Sequence, residues 1–405
     1  METYLVGGAV RDRLLGLPVK DRDWMVVGAT ADELEARGFR RVGKSFPVFL
    51  HPDTREEHAL ACRVRGDLET AGPSVTIEDD LRGRDLTINA IAEDAQGRLI
   101  DPCGGRADLS ERLLRPVSAE AFVRDPLRVL RVARFAAELA PLGFRITAET
   151  HRAMRQLRVR EGLKVLAGER VWQELARALA SATPARFFEE LRAAGVLGDV
   201  FPELDRLFGV PQPAKWHPEI DTGVHTLMVL TQAARLSPRL DVRFAALTHD
   251  LGKGSTPADI LPSHRGHEQR SVKLVERLCE RIRVPRAVME LARITAKWHG
   301  HVHKAAELRP ETVVKVLEGA DALRRPARFE GMLLACEADY RGRAGFEQLA
   351  YPQADFFRQA LARAAAVDAA GIAGAVPAAR IGEATHRARV AAVQDLSRPV
   401  PDRPA

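Results

Sequence analysis

Gly7-Gly8 follow a short apolar run, Tyr4-Leu5-Val6, and precede Ala9 to Leu15, where apolar residues recur at helical spacing until Gly16-Leu17-Pro18. This order of strand, glycine pair and helix is the feature that most constrains the chain. At such a junction the backbone approaches a ligand closely, and the N–H groups at the helix start favour an anion such as phosphate. Arg11, one turn into the helix, adds a forked guanidinium for the same anion. Past Pro18, residues 19–27 (VKDRDWMVV) are β-branched and apolar enough for a strand. Residues two apart on a strand share a face, so Asp21 and Asp23 become neighbours about 6.6 Å apart at Cα. Carboxylates this close repel unless a cation lies between them. A few hard oxygens suit Mg²⁺, which keeps waters and takes further ligands from substrate phosphates. A lone glycine pair is usually a turn, and a lone D-x-D is often a solvated edge. The ordered set is far more specific, and it is the equipment for two-metal nucleotidyl transfer.

GGAVRD followed by DRDW resembles the opening motif of the polymerase-β type nucleotidyltransferase superfamily. It is most similar to the bacterial class II tRNA nucleotidyltransferases, the CCA-adding enzymes, and their poly(A) polymerase relatives. The resemblance implies Mg²⁺ on Asp21 and Asp23 as the catalytic pair, with the triphosphate held by Gly8 and Arg11. A second segment, Arg84-Asp85-Leu86-Thr87-Ile88-Asn89-Ala90, reads by itself as a helix start with an exposed Arg-Asp pair. It resembles the second family motif, which implies that Arg84 contacts the nucleotide and Asp85 reads the ribose 2′-hydroxyl. One departure is visible. The family usually places a Glu after its Ala-Leu-Ala strand, then a flexible loop rich in Gly and Tyr. Here residues 59–65 run ALACRVR and the loop, residues 66–73, is short. Asp67 and Glu69 are the substitutes available for a third carboxylate.

Residues 1–120 mix short strands and helices, an α+β head with a small mixed sheet. A helix is expected over 31–37, capped by Thr30, with strands over 39–50 and 57–64 and a turn at 51–54. From 121 to 215 the periodicity is helical throughout. There Asp125, Arg128, Arg131 and Arg134 recur every third residue and form one stripe on a helix. Pro126 at the first helical position makes Asp125 an N-cap. The arginines would repel one another without an anion, and no Glu interleaves them. The stripe resembles the template helix of the family. That implies Asp125 and Arg128 on the edge of the incoming base, and Arg131 and Arg134 on the phosphate and ribose side. A carboxylate accepts from the exocyclic amine shared by cytosine and adenine, while arginine donates to ring acceptors. The family usually has Glu before this Asp, where this chain has Arg124.

Residues 208–218 hold three prolines and read as a linker. Eight of the 12 histidines then fall between 217 and 303. His225 lies in a helix that starts near Thr222, and His249-Asp250 closes another, followed by Gly252. Imidazoles and carboxylates together suit a divalent metal bound for hydrolysis. The pattern H…HD…D, within WHPEIDTGVHTLMVL and THDLGKG, resembles the HD-domain phosphohydrolases attached to some CCA-adding enzymes. The resemblance implies His225, His249, Asp250 and Asp339 as ligands of Ni²⁺ or Mg²⁺, with Asp321 competing for the fourth place. It also implies phosphatase, 2′-nucleotidase and 2′,3′-cyclic phosphodiesterase activities. The expected order is a head (1–120), a helical neck (121–215), a helical HD domain (222–323) and a helical tail (324–405).

The net charge of +6 suits a polyanionic partner, and arginines cluster at 124–134 and 152–160. With aromatics at only 5%, stacking of bases on aromatic rings is not the expected mode of binding. Cys62, Cys103, Cys279 and Cys336 are far apart, so no zinc ribbon or disulfide scaffold is indicated and a cytoplasmic setting fits. Neither a signal peptide nor an apolar run long enough for a membrane span is found. The implied partners are the tRNA acceptor arm, CTP and ATP, bound by a monomer or homodimer, with CCA added without a nucleic-acid template and pyrophosphate released. Rival readings are a poly(A) polymerase, an enzyme adding only CC or A, an HD phosphohydrolase whose head merely binds nucleotides, and a non-enzymatic RNA-binding protein.

Overall fold

The computed structural model describes residues 1–19, 21–42, 48–65, 68–159, 163 and 166–400. They form two compact units, one of Met1–Leu166 with Glu189–Val196, the other of Ala167–Phe188 with Leu197–Ala405.

The described strands of the first unit are β1 (Glu2–Val6), β2 (Asp23–Val27), β3 (Arg40–Val42), β4 (Val48–Leu50), β5 (Glu57–Leu60), β6 (Cys62–Arg65), β7 (Leu68–Ala71), β8 (Ala92–Glu93), β9 (Leu99–Ile100), β10 (Leu113–Leu114) and β11 (Arg145–Ile146). Among the described residues the main sheet has the order β3-β4-β5-β2-β1-β8-β9. Only the β2–β5 pair within it is parallel. β2 is apolar on both faces because both are covered. Met25 joins a core with Val6, Ile77, Leu81 and Ala92, while Val26 joins another with Leu34, Phe39, Phe49 and Leu60. The helix Ala31–Ala36 closes the second face, and Thr30 starts it with the expected cap, in reciprocal hydrogen bonds with Glu33.

Three expectations are corrected. The strand expected over 19–27 begins only at Asp23, because its partner β1 ends at Val6, opposite Asp23, where Gly7 turns the chain away. Asp21 therefore precedes the strand. The run 39–50 is a hairpin, with Arg40 opposite Leu50 and Val42 opposite Val48. The run 57–64 breaks at Ala61, whose N–H goes to Val26 O (2.9 Å), and β6 leaves the sheet to pair with β7.

The second unit is helical. Its histidine-bearing part contains the helices Thr222–Leu236, Leu240–Thr248, His267–Arg281, Arg286–His303 and Pro326–Arg341. Buried Arg243 ties this part to the preceding helix Gly168–Ala180 and its end by donating to Leu179 O (2.6 Å) and Ser181 O (2.8 Å).

Phe49 is fully buried between β2 and the helix Ala31–Ala36. Phe49→Ala is expected to destabilise the first unit by about 3–5 kcal/mol, read as an earlier transition for that unit in urea unfolding.

Candidate functional site

The glycine turn, Arg84 and Asp23 meet in the first unit. Gly7 adopts φ 67°, the left-handed range natural to glycine, and no side chain caps the helix Gly8–Leu14. A Cβ on Gly7 would lie 2.8 Å from Arg84 Nη1, so the turn and this guanidinium are in contact. Arg84 is fixed by Asp80 Oδ2, at 3.1 Å from Nε and 3.0 Å from Nη2. Asp80 Oδ1 accepts from Cys62 N–H (3.2 Å), where β6 departs from the sheet. Asp23 opens β2 with an exposed side chain set amid enough protein for burial to raise its carboxyl pKa; Arg84 opposes the rise and Asp21 adds to it. The two expected carboxylates are thus electrostatic neighbours although only one is in the strand. Mutual repulsion relieved by a cation is the condition a divalent metal fits. Of the proposed substitutes for a third carboxylate, Asp67 lies outside the described residues. Glu69 is placed only by its backbone, opposite Val64. Arg160 of the second arginine cluster is also outside them.

Arg11 is 8% exposed and engaged within the protein. Nη1 donates to Asn89 Oδ1 (2.8 Å), Nε donates to Asp12 Oδ1 (2.8 Å), and the guanidinium lies over the Phe135 ring. Asp125 is not an N-cap. It ends the helix Glu120–Arg124, and the arginine helix runs Arg128–Leu139. Its carboxylate accepts from Leu127 N–H (3.3 Å) across the Pro126 turn. The stripe expected to need an anion finds acceptors in the protein. Arg128 donates to Arg84 O and Gly83 O, each at 2.8 Å, and keeps Nε–H and one hydrogen on each terminal nitrogen for another partner. Arg131 pairs with Asp85 at 2.8 Å, and Arg134 pairs with Glu138 at 2.7 Å. Asp85 is 5% exposed. Its Oδ1 accepts from Leu86 N–H and Asn89 Nδ2, and its Oδ2 accepts from Arg131. Burial alone would raise its carboxyl, but Arg131 and these hydrogen bonds hold it well below the usual carboxylate range.

In the second unit the histidines converge. His225 Nε2 lies 3.0 Å from Asp339 Oδ1, and Nδ1 lies 2.8 Å from Glu219 Oε1. The Nδ1 atoms of His249, His267 and His299 each face a backbone carbonyl: Ala246 O (2.7 Å), His264 O (2.8 Å) and Thr295 O (3.1 Å). That arrangement turns their Nε2 atoms inward, as metal-binding imidazoles require. Among the described residues the groups able to hold an ion are His217–Glu219–His225, His225–His249–Asp250, His249–His299–Asp339 and Asp250–His267–His299, with the ligand atoms of each within 4.8 Å of one another. His249 Nε2 and Asp250 Oδ1 are buried without a well-formed hydrogen bond, which a cation would remedy. Burial opposes charge on His249, yet Asp250 and Asp339 outweigh it and raise the imidazole to about 10. The cluster thus demands positive charge, and the donor set fits a divalent metal. Asp321 is paired with Arg324 (2.6 Å) and belongs to none of these groups, whereas Asp339 lies in one of them.

His267 and His299 are among the eight histidines between 217 and 303, and the sequence pattern did not single them out as ligands. His299 and His303 are one turn apart on a helix, the signal that could have found the first. His267 is brought in by Gly252, where a Cβ would stand 2.3 Å from His267 O and 2.5 Å from Ser271 N.

Residues 3–115 match the model of the Poly A polymerase head domain, 143–208 that described as the probable RNA and SrmB-binding site of polymerase A, and 222–326 that of the HD domain. The chain is 61% identical over 404 residues to the multifunctional CCA protein of Thioalkalivibrio sulfidiphilus, covering 98% of both. It is 54% identical over 405 residues to that of Methylococcus capsulatus, covering 98% of this chain and 95% of the other. Its fold is similar to that of a Thermotoga maritima CCA-adding enzyme solved with tRNA (TM-score 0.64, 20% identity, 98% of this chain and 88% of that one). These matches define a nucleotidyltransferase head followed by an HD domain. The chain belongs to the multifunctional CCA protein family. No helix among the described residues is long and apolar enough to cross a membrane.

Asp85→Asn is expected to destabilise the first unit by about 1–3 kcal/mol, less than breaking a fully buried pair because Arg131 keeps some solvent. The folded-state carboxyl lies below its ordinary value, so its contribution is present above about pH 4 and fades as pH falls further. Urea unfolding of both proteins at neutral and acid pH should show the difference shrinking on the acid side.

Proposed function

We propose that this protein adds CCA to the 3′ end of tRNA from CTP and ATP, without a nucleic-acid template, and that its HD domain hydrolyses phosphate esters. The observation that carries the first reading is the joining, in one unit, of the Gly7 turn, Arg84, Asp23 and the arginine helix, in a chain 61% identical to a multifunctional CCA protein. The HD match and the CCA-protein relatives weigh against a poly(A) polymerase.

Both catalytic units use a divalent cation; Mg²⁺ between Asp21 and Asp23 is our reading for the head. When bound there it lowers the pKa of the attacking 3′-hydroxyl and neutralises the departing pyrophosphate. Gly8 and Arg84 face the triphosphate, with Arg11 as the strut behind the turn. Asp125 accepts from the exocyclic amine of cytosine or adenine, and Arg128 donates its remaining N–H groups to the ring acceptors. Asp85 serves the ribose side through Arg131, because both of its oxygens are engaged in the protein. Arg134 supports the same face from its contact with Phe135, 4.0 Å from the ring centroid. The basic neck and tail hold the acceptor arm by backbone and shape, as duplex RNA is read. The domain roles over 1–120, 121–215, 222–323 and 324–405 follow this reading, and a cytoplasmic setting follows from the substrate.

In the HD domain His225, His249, Asp250 and Asp339, joined by His267 and His299, hold Ni²⁺ or Mg²⁺. That ion supplies an activated water for phosphatase, 2′-nucleotidase and 2′,3′-cyclic phosphodiesterase chemistry. Glu219 and Ala246 O orient two of the imidazoles.

Incubation with tRNA lacking its last three nucleotides, Mg²⁺ and labelled CTP and ATP should extend the tRNA by three residues. Asp21→Ala with Asp23→Ala should reduce incorporation to background. Growth by two residues, or by a single A on tRNA ending in CC, would point instead to a split activity. His249→Ala should abolish release of phosphate from 2′-AMP and lower the bound-metal content measured by mass spectrometry.

A further inference from the structure

Lys253, a cation beside the histidine cluster, is already engaged, paired with Asp250 Oδ2 (2.6 Å) and donating to Gln212 Oε1 (2.6 Å). Two arginines follow Asp339 closely, and their surroundings differ. Arg341 is engaged, with Nη2 2.8 Å from Glu337 and Nε donating to Leu349 O (3.2 Å). The Arg343 guanidinium has no ion pair and no hydrogen bond among the described residues, and its Nε is buried without a partner. It lies over the rings of Tyr340 (5.4 Å) and Phe346 (5.9 Å), which restrict it without satisfying its N–H groups.

Both neighbours of Arg343 are anchored beside His225. Gly342 packs so closely on Val229, one helical turn beyond His225, that a Cβ would lie 2.7 Å from Val229 Cα. Ala344 N–H donates to Glu219 Oε2 (3.3 Å), and the other oxygen of Glu219 faces His225 Nδ1 at 2.8 Å. The Tyr340 ring, on which the guanidinium lies, is 5.2 Å from that of Tyr351, whose hydroxyl meets His303 Nδ1 at 2.9 Å. A buried N–H left unpaired carries an uncompensated desolvation cost. An incoming anion would recover that cost, and a guanidinium meets phosphate with two parallel hydrogen bonds.

We infer that Arg343 is the phosphate clamp of the HD site, binding the anionic oxygens of a phosphomonoester or 2′,3′-cyclic phosphate. This rests on reading that domain as a phosphohydrolase. The test uses the full-length, metal-loaded protein and its Arg343→Gln and Arg343→Lys variants. Binding of inorganic phosphate is measured by calorimetry, and hydrolysis of 2′-AMP by phosphate release. Arg343→Gln should weaken phosphate binding and raise KM by about ten- to a hundredfold, with a much smaller change in kcat and with metal content and unfolding midpoint unchanged. Arg343→Lys should recover part of the binding. Phosphate affinity equal to wild type in Arg343→Gln, or loss of metal from that variant, overturns the clamp. Hydrolysis by wild type without dependence on Arg343 removes the clamp and leaves the phosphohydrolase reading. Phosphate binding that depends on Arg343, without any hydrolysis by wild type, removes the phosphohydrolase reading and leaves the clamp. Neither binding nor hydrolysis by wild type removes both.

Discussion

Asp85 is a buried carboxylate whose charge is answered from another element. It stands in the short segment 84–89, and its counter-ion, Arg131, comes from a helix more than forty residues later. Arg128, one turn before Arg131, grips the carbonyls of Gly83 and Arg84. Arg11 reaches the same segment through Asn89. These bonds lock together the glycine turn, the Arg84 motif and the arginine helix. A buried charge pair of this kind adds little net stability, but removing one partner strands the other. Its value here is positional, since the glycine turn and the Arg84 segment inherit their geometry from it.

The second unit solves a different electrostatic problem. Asp250 and Asp339 are buried close to several imidazoles, and the carboxyls of both lie well below the usual range. Burial favours raising them, so the low values reflect their partners: the charges of Lys253 and His249 for Asp250, and the charge of His249 with hydrogen bonds from the neighbouring imidazoles for Asp339. His303 is pushed down to about 4 by burial, so Tyr351 O–H donates to its Nδ1 and its Nε2–H donates to Asp339. His249 takes the opposite course, with Nδ1 donating to a carbonyl and Nε2 turned toward the carboxylates. Identical side chains are thus driven in opposite directions within one cluster, and the balance of burial against neighbouring carboxylates decides which way.

The glycine turn, the capped helix at Thr30 and the arginine periodicity were legible because each depends on residues close in sequence. Propensity also read 39–50 and 57–64 as apolar and β-forming, yet could not see where each strand would end. Those ends depend on partners: β2 starts only where β1 runs out, and β6 leaves the sheet at Ala61. Asp125 was misread for a related reason. Asp-Pro is a good helix start in isolation, but the Pro126 turn is held by Arg128 N–H on Asp125 O, and the helix begins after it.

The sequence by itself determined the α+β head, the helical remainder and the identity of the charged groups, because local spacing and residue chemistry suffice for these. Only the tertiary structure decided what each group meets. It placed Arg11 and Asp85 in the protein's own network, set Asp339 among the imidazoles and Asp321 beside Arg324, and brought His267 beside Asp250 through the close approach that Gly252 permits. Burial and counter-ions come from distant parts of the chain, so no local pattern encodes them.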